Sequence, residues 1–195
     1  MPMRRLKKSK HALLIMVISS VILCVIVAAA VIFFVRDIRL TQDKVIVQHL
    51  KQLAGTFGEI DRTCRIIDFD HDKNYIDFLN VKSFAGSEVG AMNLMHPDKW
   101  NGPYVEANLT VQEKPYMIVK TRQGWYITPA DGVRLSNGKV IGKDLVISYE
   151  TDIDSLLRDP NGLWYKGGPL AVPLKFGVRP EATQVAEELT EAENI

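Results

Sequence analysis

An uncharged stretch from Ala12 to Val35 constrains this chain more than any other feature: 24 residues in which only Ser19 and Ser20 are polar. As a helix rising ~1.5 Å per residue it is about 36 Å long, against about 30 Å of hydrocarbon in a bilayer. Arg4, Arg5, Lys7, Lys8 and Lys10 stand just before it, and the first 35 residues contain no acid. After it, Arg36 and Arg39 are partly balanced by Asp37. This asymmetry predicts a single-pass anchor with the short N-terminus in the cytoplasm and residues 36–195 carried across the membrane. A cleavable signal peptide would have an apolar core of about 7 to 15 residues and then a small-residue site. Ala28, Ala29 and Ala30 supply small residues, but Val31-Ile32-Phe33-Phe34-Val35 prolongs the run beyond them. A lipoprotein signal needs a small residue before its cysteine, and Leu23 precedes Cys24.

Composition narrows the partners. Of 24 Lys and Arg, five precede the run, leaving 19 against 23 Asp and Glu beyond it. The outer part is therefore mildly acidic, which argues against nucleic acid as a partner. Cys24 falls in the apolar run and Cys64 is alone outside it, so the outer domain must hold together without an internal disulfide. Cys64 reads as a small buried apolar residue.

No proline occurs between Ile38 and Pro97, and Ile46, Leu50, Leu53, Phe57, Ile60, Cys64 and Ile67 recur at alternating steps of four and three. These steps place all seven on one helical stripe. The stripe fits a helix packed on a small sheet. It also fits a coiled-coil seam about three heptads long. Either way, a helix continues from the apolar run to about Arg65, weakened by ~1 kcal/mol at each of Gly55 and Gly58. Residues 66–115 read as mainly loop, with short helices expected near Tyr75–Leu79 and Ser87–Met92 and a turn at Asn101-Gly102-Pro103. Hairpins follow. Tyr116–Thr121 and Trp125–Thr128 flank Arg122-Gln123-Gly124, and Gly132–Leu135 and Lys139–Ile141 flank Ser136-Asn137-Gly138. Asp144–Tyr149 alternates like one more strand. The expected fold class is α+β: a long N-terminal helix, half transmembrane and half amphipathic, packed on a small antiparallel sheet. Its parts are a basic leader (1–11), a transmembrane helix (12–35), an outer domain (36–177) and an acidic tail (178–195). Within the outer domain the helix covers 36–65, the loop 66–115, the sheet 116–149 and a C-terminal loop 150–177.

Signals of catalysis are sparse. None of His11, His49, His71 and His96 has a second ligand at zinc-site spacing, and neither a nucleophile-elbow serine nor a phosphate-binding glycine loop is present. No catalytic residue and no organic cofactor is therefore expected, although clustering of Asp70, His71 and His96 in a pocket would reopen the question. The run from Asp68 to Asn74 resembles a calcium loop in its alternating carboxylates. It fails the EF-hand pattern, with Lys73 at the sixth position and Leu79 at the twelfth. Glu150, Asp152, Asp154 and Asp159 form a second acidic group that could supply calcium oxygens together with backbone carbonyls. Asn108-Leu109-Thr110 matches a glycosylation sequon.

The basic leader, the apolar helix running on into an amphipathic one, the loop and the small sheet together resemble the type IV pilin and type II secretion pseudopilin family. Pro97-Asp98-Lys99-Trp100-Asn101-Gly102-Pro103-Tyr104 is similar to the Asp-Pro-Trp-Gly-x-Pro-Tyr segment that precedes the sheet in major pseudopilins. Asp131-Gly132 and Asn137-Gly138-Lys139 resemble turns between their strands. The sequence departs from the family at Lys10-His11-Ala12-Leu13-Leu14-Ile15, which holds neither the glycine before the cleaved bond nor the glutamate at the fifth mature position. The resemblance implies a bacterial inner-membrane subunit of a secretion or pilus-type assembly, with the sheet domain in the periplasm. It also implies calcium at the acidic group after the sheet. The partners expected are membrane lipid and other pilin-like or secretion-system subunits, in a homo- or hetero-oligomer. Ala28, Ala29 and Ala30 would permit close helix approach in the bilayer, and Trp100, Tyr104 and Trp125 would present a protein-binding surface. The alternative is a single-pass tethered binding or sensor domain that does not polymerise.

Overall fold

The structure, a computed structural model, describes residues 3–165 and 168–176. It is α+β: one long N-terminal helix, α1 (Met3–Cys64), followed by short antiparallel strands. The chain divides into two compact units between Thr41 and Gln42.

In the first unit, α1 carries a segment long and apolar enough to cross a membrane, Leu13–Val35. Its large apolar side chains, among them Ile15, Met16, Phe33 and Phe34, are exposed. The Ser19 hydroxyl donates to Met16 O at 3.0 Å, so this polar group is satisfied within the helix.

In the second unit, α1 runs from Gln42 to Cys64 and buries Ile46, Leu50, Leu53, Phe57, Ile60 and Cys64 completely or nearly so. The helix ends at Arg65, whose φ of 54° is left-handed, and Asp61 takes up the released amides. Its main-chain oxygen accepts from Arg65 N and its carboxylate from Ile66 N, both at 3.0 Å. Among the described residues ten strands follow, interrupted by a 3-10 turn (Pro97–Lys99) and one short α-helix: β1 (Ile66–Phe69), β2 (Lys73–Tyr75), β3 (Glu88–Val89), β4 (Met92–Leu94), β5 (Thr110–Val111), β6 (Lys114–Thr121), β7 (Gly124–Pro129), α2 (Ile153–Arg158), β8 (Trp164–Tyr165), β9 (Gly168–Pro169) and β10 (Val172–Leu174). The main sheet has the order β10-β7-β6-β2, with β5 also pairing β6; β1-β4-β3 form a second sheet and β8-β9 a third. Tyr116, Met117, Ile118, Val119, Tyr126 and Ile127 of the β6–β7 hairpin are buried in the same core as the helical stripe.

Several expectations need correction. The stripe does not include Ile67, which is 53% exposed. With Arg65 ending the helix, period-two alternation takes over, so Ile66 turns inward and Ile67 outward. The helices expected at Tyr75–Leu79 and Ser87–Met92 are absent. The first segment begins as the end of β2 and the second is the β3–β4 hairpin, whose turn uses Gly90 at φ 56°. A Cβ at Gly90 would stand 2.3 Å from the Phe78 ring. Gly132–Leu135 and Lys139–Ile141 meet through the single bridge Arg134–Val140 and not as a full ladder. Asp144–Tyr149 is no strand. Leu145 and Ile147 are buried as the alternation implies, but local side-chain bonds replace the ladder. Asp144 accepts from Val140 N at 2.8 Å and Thr151 Oγ1 from Ser148 N at 2.9 Å. The span 150–177, expected as loop, supplies α2 and three strands, β10 among them as an edge of the main sheet. The acidic tail 178–195 lies outside the described residues.

Gly55 and Gly58 lie on the exposed side of α1, and a Cβ added to either would meet nothing within 4 Å. Gly55→Ala should therefore raise unfolding free energy by about 0.5–1 kcal/mol. Phe57→Ala, which empties the centre of the stripe, should lower it by about 3–5 kcal/mol. Thermal melts of the purified protein would check both, since shifts of opposite sign are expected.

Candidate functional site

The features with functional potential are the exposed apolar helix of the first unit and, in the second, the groups that bind α1 to the sheet domain. In the first unit Ala28, Ala29 and Ala30 are helical and exposed within Leu13–Val35, so their small side chains form open helix surface.

Polar contacts fasten α1 in the second unit, those of Asp43 and His49 among them. Asp43 is 1% exposed and sits one helical turn before Ile46, so a carboxylate extends the apolar stripe backwards. Ser136 satisfies it: the main-chain N–H lies 3.2 Å from both carboxylate oxygens and the hydroxyl donates to Oδ2 at 2.5 Å. Burial pushes the Asp43 carboxyl above its ordinary range, against the opposing pull of the Ser136 hydrogen bonds. One and a half turns further along, His49 Nδ1 meets the hydroxyl of the fully buried Tyr116 at 3.0 Å, the two rings edge to face. Burial holds the imidazole below its ordinary pKa and pushes the phenol well above its own. One hydrogen bond thus joins His49 Nδ1 to the Tyr116 hydroxyl inside the domain. Composition and spacing did not single out Asp43 or His49, yet an acid three residues ahead of a long apolar stripe is a readable signal.

The three aromatics expected to form one surface are divided between two clusters. Trp100 stands edge to face with Phe84 and Tyr104 at ring centroid distances of 5.4 and 4.8 Å, and its indole donates to Val81 O at 3.1 Å. Trp125 belongs elsewhere, tilted on Phe69 at 5.0 Å with Lys120 Nζ 5.4 Å from its ring centroid. Phe69 also contacts Phe57 and Phe176. All three are half-buried against the core.

The acidic group after the sheet is likewise dispersed by its bonds. Glu150 pairs with Arg122. Asp152 caps α2 by accepting from Ser155 N at 3.1 Å and also accepts from Gln123 Nε2 at 2.8 Å, bonds that hold its pKa below the ordinary value. Asp154 lies 3.4 Å from the Tyr126 hydroxyl, and Asp159 accepts from Asn161 N at 2.8 Å. Asp68 and Asp70 both accept from Asn93 Nδ2, at 3.1 and 3.0 Å. Among the described residues, no three His, Cys, Asp or Glu side chains are grouped so as to hold a metal ion, and this includes Asp70, His71 and His96. In the sequon, Asn108 Nδ2 is engaged by Asp77 O at 2.5 Å and by Asn80 Oδ1 at 3.1 Å.

No protein-family model, no curated protein and no solved structure matches this chain.

The His49 contact has a pH signature. A histidine whose folded pKa lies below its unfolded value of 6.5 leaves the unfolded state binding more protons, so stability falls as pH drops through about 6.5. Relative to His49→Gln, which cannot titrate, the wild type should lose thermal stability between pH 7.5 and 5.5. A constant difference across that range would show that the histidine is not linked to folding.

Proposed function

We propose that the protein is a membrane-anchored, pilin-like structural subunit of a secretion or pilus-type assembly. In this reading it sits in a bacterial inner membrane with its N-terminus cytoplasmic and its sheet domain periplasmic. The observation that carries this reading is the exposed apolar surface of Leu13–Val35. Sixteen Leu, Ile, Val and Phe residues in that segment favour the bilayer by about 5–10 kcal/mol in sum, at ~0.3–0.6 kcal/mol each near a span centre. The five preceding basic residues support the orientation.

The mechanism is lateral packing. Lipid gives little hydrophobic drive between helices, so association depends on close approach, and Ala28-Ala29-Ala30 is where backbones could come nearest. The sequence order of helix, intervening segment and sheet supports the pilin-like reading, as does the segment around Trp100 and Tyr104. In this segment the indole and the ring contacts hold the loop ahead of the sheet.

Oxidative cross-linking of Ala29→Cys in a Cys24→Ser background, performed in membranes, separates assembly from the tethered alternative. An assembling subunit gives dimers through the span and, with a second cysteine on the opposite helix face, a ladder of oligomers. A protein that stays monomeric at every span position is a solitary anchored domain. Mass spectrometry of the N-terminus from cells addresses maturation: trimming near His11 or Ala12 indicates pilin-type processing, and an intact leader an unprocessed anchor.

A further inference from the structure

The chain contains three Asn-Gly pairs, Asn101-Gly102, Asn137-Gly138 and Asn161-Gly162. We propose that Asn101-Gly102 is a site of spontaneous covalent modification, converting to aspartate and isoaspartate, while the fold protects the other two pairs. The chemistry needs no enzyme. The Gly102 main-chain nitrogen, having lost its proton to base, attacks Asn101 Cγ; the C–N bond to the side-chain amide breaks and ammonia leaves. Water then opens the resulting succinimide at either carbonyl, giving aspartate or a main chain lengthened through the β-carbon. The reaction is fastest before glycine because no side chain crowds the attacking nitrogen.

Hydrogen bonding sorts the three pairs. Gly138 N–H donates to Leu135 O at 3.0 Å and Gly162 N–H to Asp159 O at 2.8 Å, so both potential nucleophiles are engaged. The Asn137 side chain is held twice over. Its amide donates to Asn161 O at 3.1 Å and Gly162 O at 3.2 Å, and its oxygen accepts from Lys139 N at 3.0 Å. Asn161 is fixed through its own N–H to the Asp159 carboxylate. Asn101, by contrast, is exposed. Among the described residues neither its side chain nor the Gly102 N–H has a hydrogen-bond partner.

Conversion at Asn101 reaches into the fold. A Cβ at Gly102 would stand 2.3 Å from Val81 O and 2.4 Å from Trp100 Nε1, so the main chain there fits closely under the indole. An extra methylene at Asn101 displaces that segment and loosens the Trp100–Val81 hydrogen bond of 3.1 Å. The modification thus introduces a negative charge beside the Phe84–Trp100–Tyr104 cluster and unfastens it with age.

The test is incubation of the full-length protein in detergent at pH 8 and 37 °C in ¹⁸O-labelled water, followed by tryptic peptide mass spectrometry. Cleavage at Lys99, Lys120, Arg134, Lys139 and Arg158 places the three pairs on separate peptides. The peptide carrying Asn101 should gain the mass of the amide-to-acid change about ten-fold faster than the other two, the factor that one to two retained hydrogen bonds correspond to. Tryptophan emission should shift to longer wavelength in step, and Asn101→Gln should abolish both changes. In urea all three peptides should convert at similar rates, which shows that the fold imposes the order. Conversion of the Asn137 or Asn161 peptide as fast as that of Asn101 in the folded protein would overturn the proposal. So would an unchanged Asn101 peptide in the folded protein when the urea sample converts.

Discussion

The packing of one face of α1 against the β6–β7 hairpin is the interaction on which the sheet domain depends. Six helical side chains, Ile46 to Cys64, are removed from water by a sheet only a few strands wide. Neither partner could persist alone: a two-stranded hairpin is at best marginal in water, and an isolated helix of this length gains little from propensity. Each buried Leu, Ile or Phe contributes about 1.5–3 kcal/mol of transfer free energy, which outweighs the ~1 kcal/mol cost of Gly55 and of Gly58 on the opposite face. That surplus allows the solvent side of the helix to carry residues that do nothing for its own stability.

Apolar contact alone would leave the helix free to slide along the sheet, because the stripe nearly repeats every seven residues. Asp43 and His49 remove that freedom. Each is a polar group placed where only one partner can satisfy it, Ser136 for the carboxylate and the Tyr116 hydroxyl for the imidazole. A one-turn slip would bury the Asp43 charge without a donor, at a cost of several kcal/mol. The two contacts therefore set register, while the apolar stripe supplies the affinity.

Periodicity made the helix legible and also misled where it outlasted the helix. Ile67 continues the four-three spacing by coincidence, because nothing in the pattern records that Arg65 adopts a left-handed conformation. The β6–β7 hairpin was readable because its strands are six and eight residues long and its turn is short. Strands of two to four residues, such as β1 to β5, carry too few positions for alternation to emerge, and β10 is further disguised by Pro173 within it. At Asp144–Tyr149 the alternation was real but reported burial only. Whether an alternating segment becomes a strand depends on a partner edge, which local sequence does not encode. The scattering of Trp125 from Trp100 and Tyr104 has the same origin, since composition says that aromatics exist and topology decides which of them meet.

Long stretches between the strands remain ordered without a disulfide, and side-chain amides and carboxylates explain how. Asn74 closes the Asp70–Lys73 turn by exchanging hydrogen bonds with His71, and Asn108 ties its segment to Asp77 and Asn80. Asp152 caps α2 and Gln112 joins Gln42 of α1 to the main chain at Arg134. The end of α1 works the same way, with Cys64 O and Arg65 O accepting from His96 N and Met95 N and so drawing the strand-poor loop back to the helix. Each such bond contributes about 0.5–1.5 kcal/mol and closes a loop of tens of residues. Asp152 and Asp159, from the acidic group after the sheet, likewise accept from the main-chain N–H groups of Ser155 and Asn161. The same accounting leaves Asn101 as an Asn-Gly side chain with no fastening role, and its exposure follows from that.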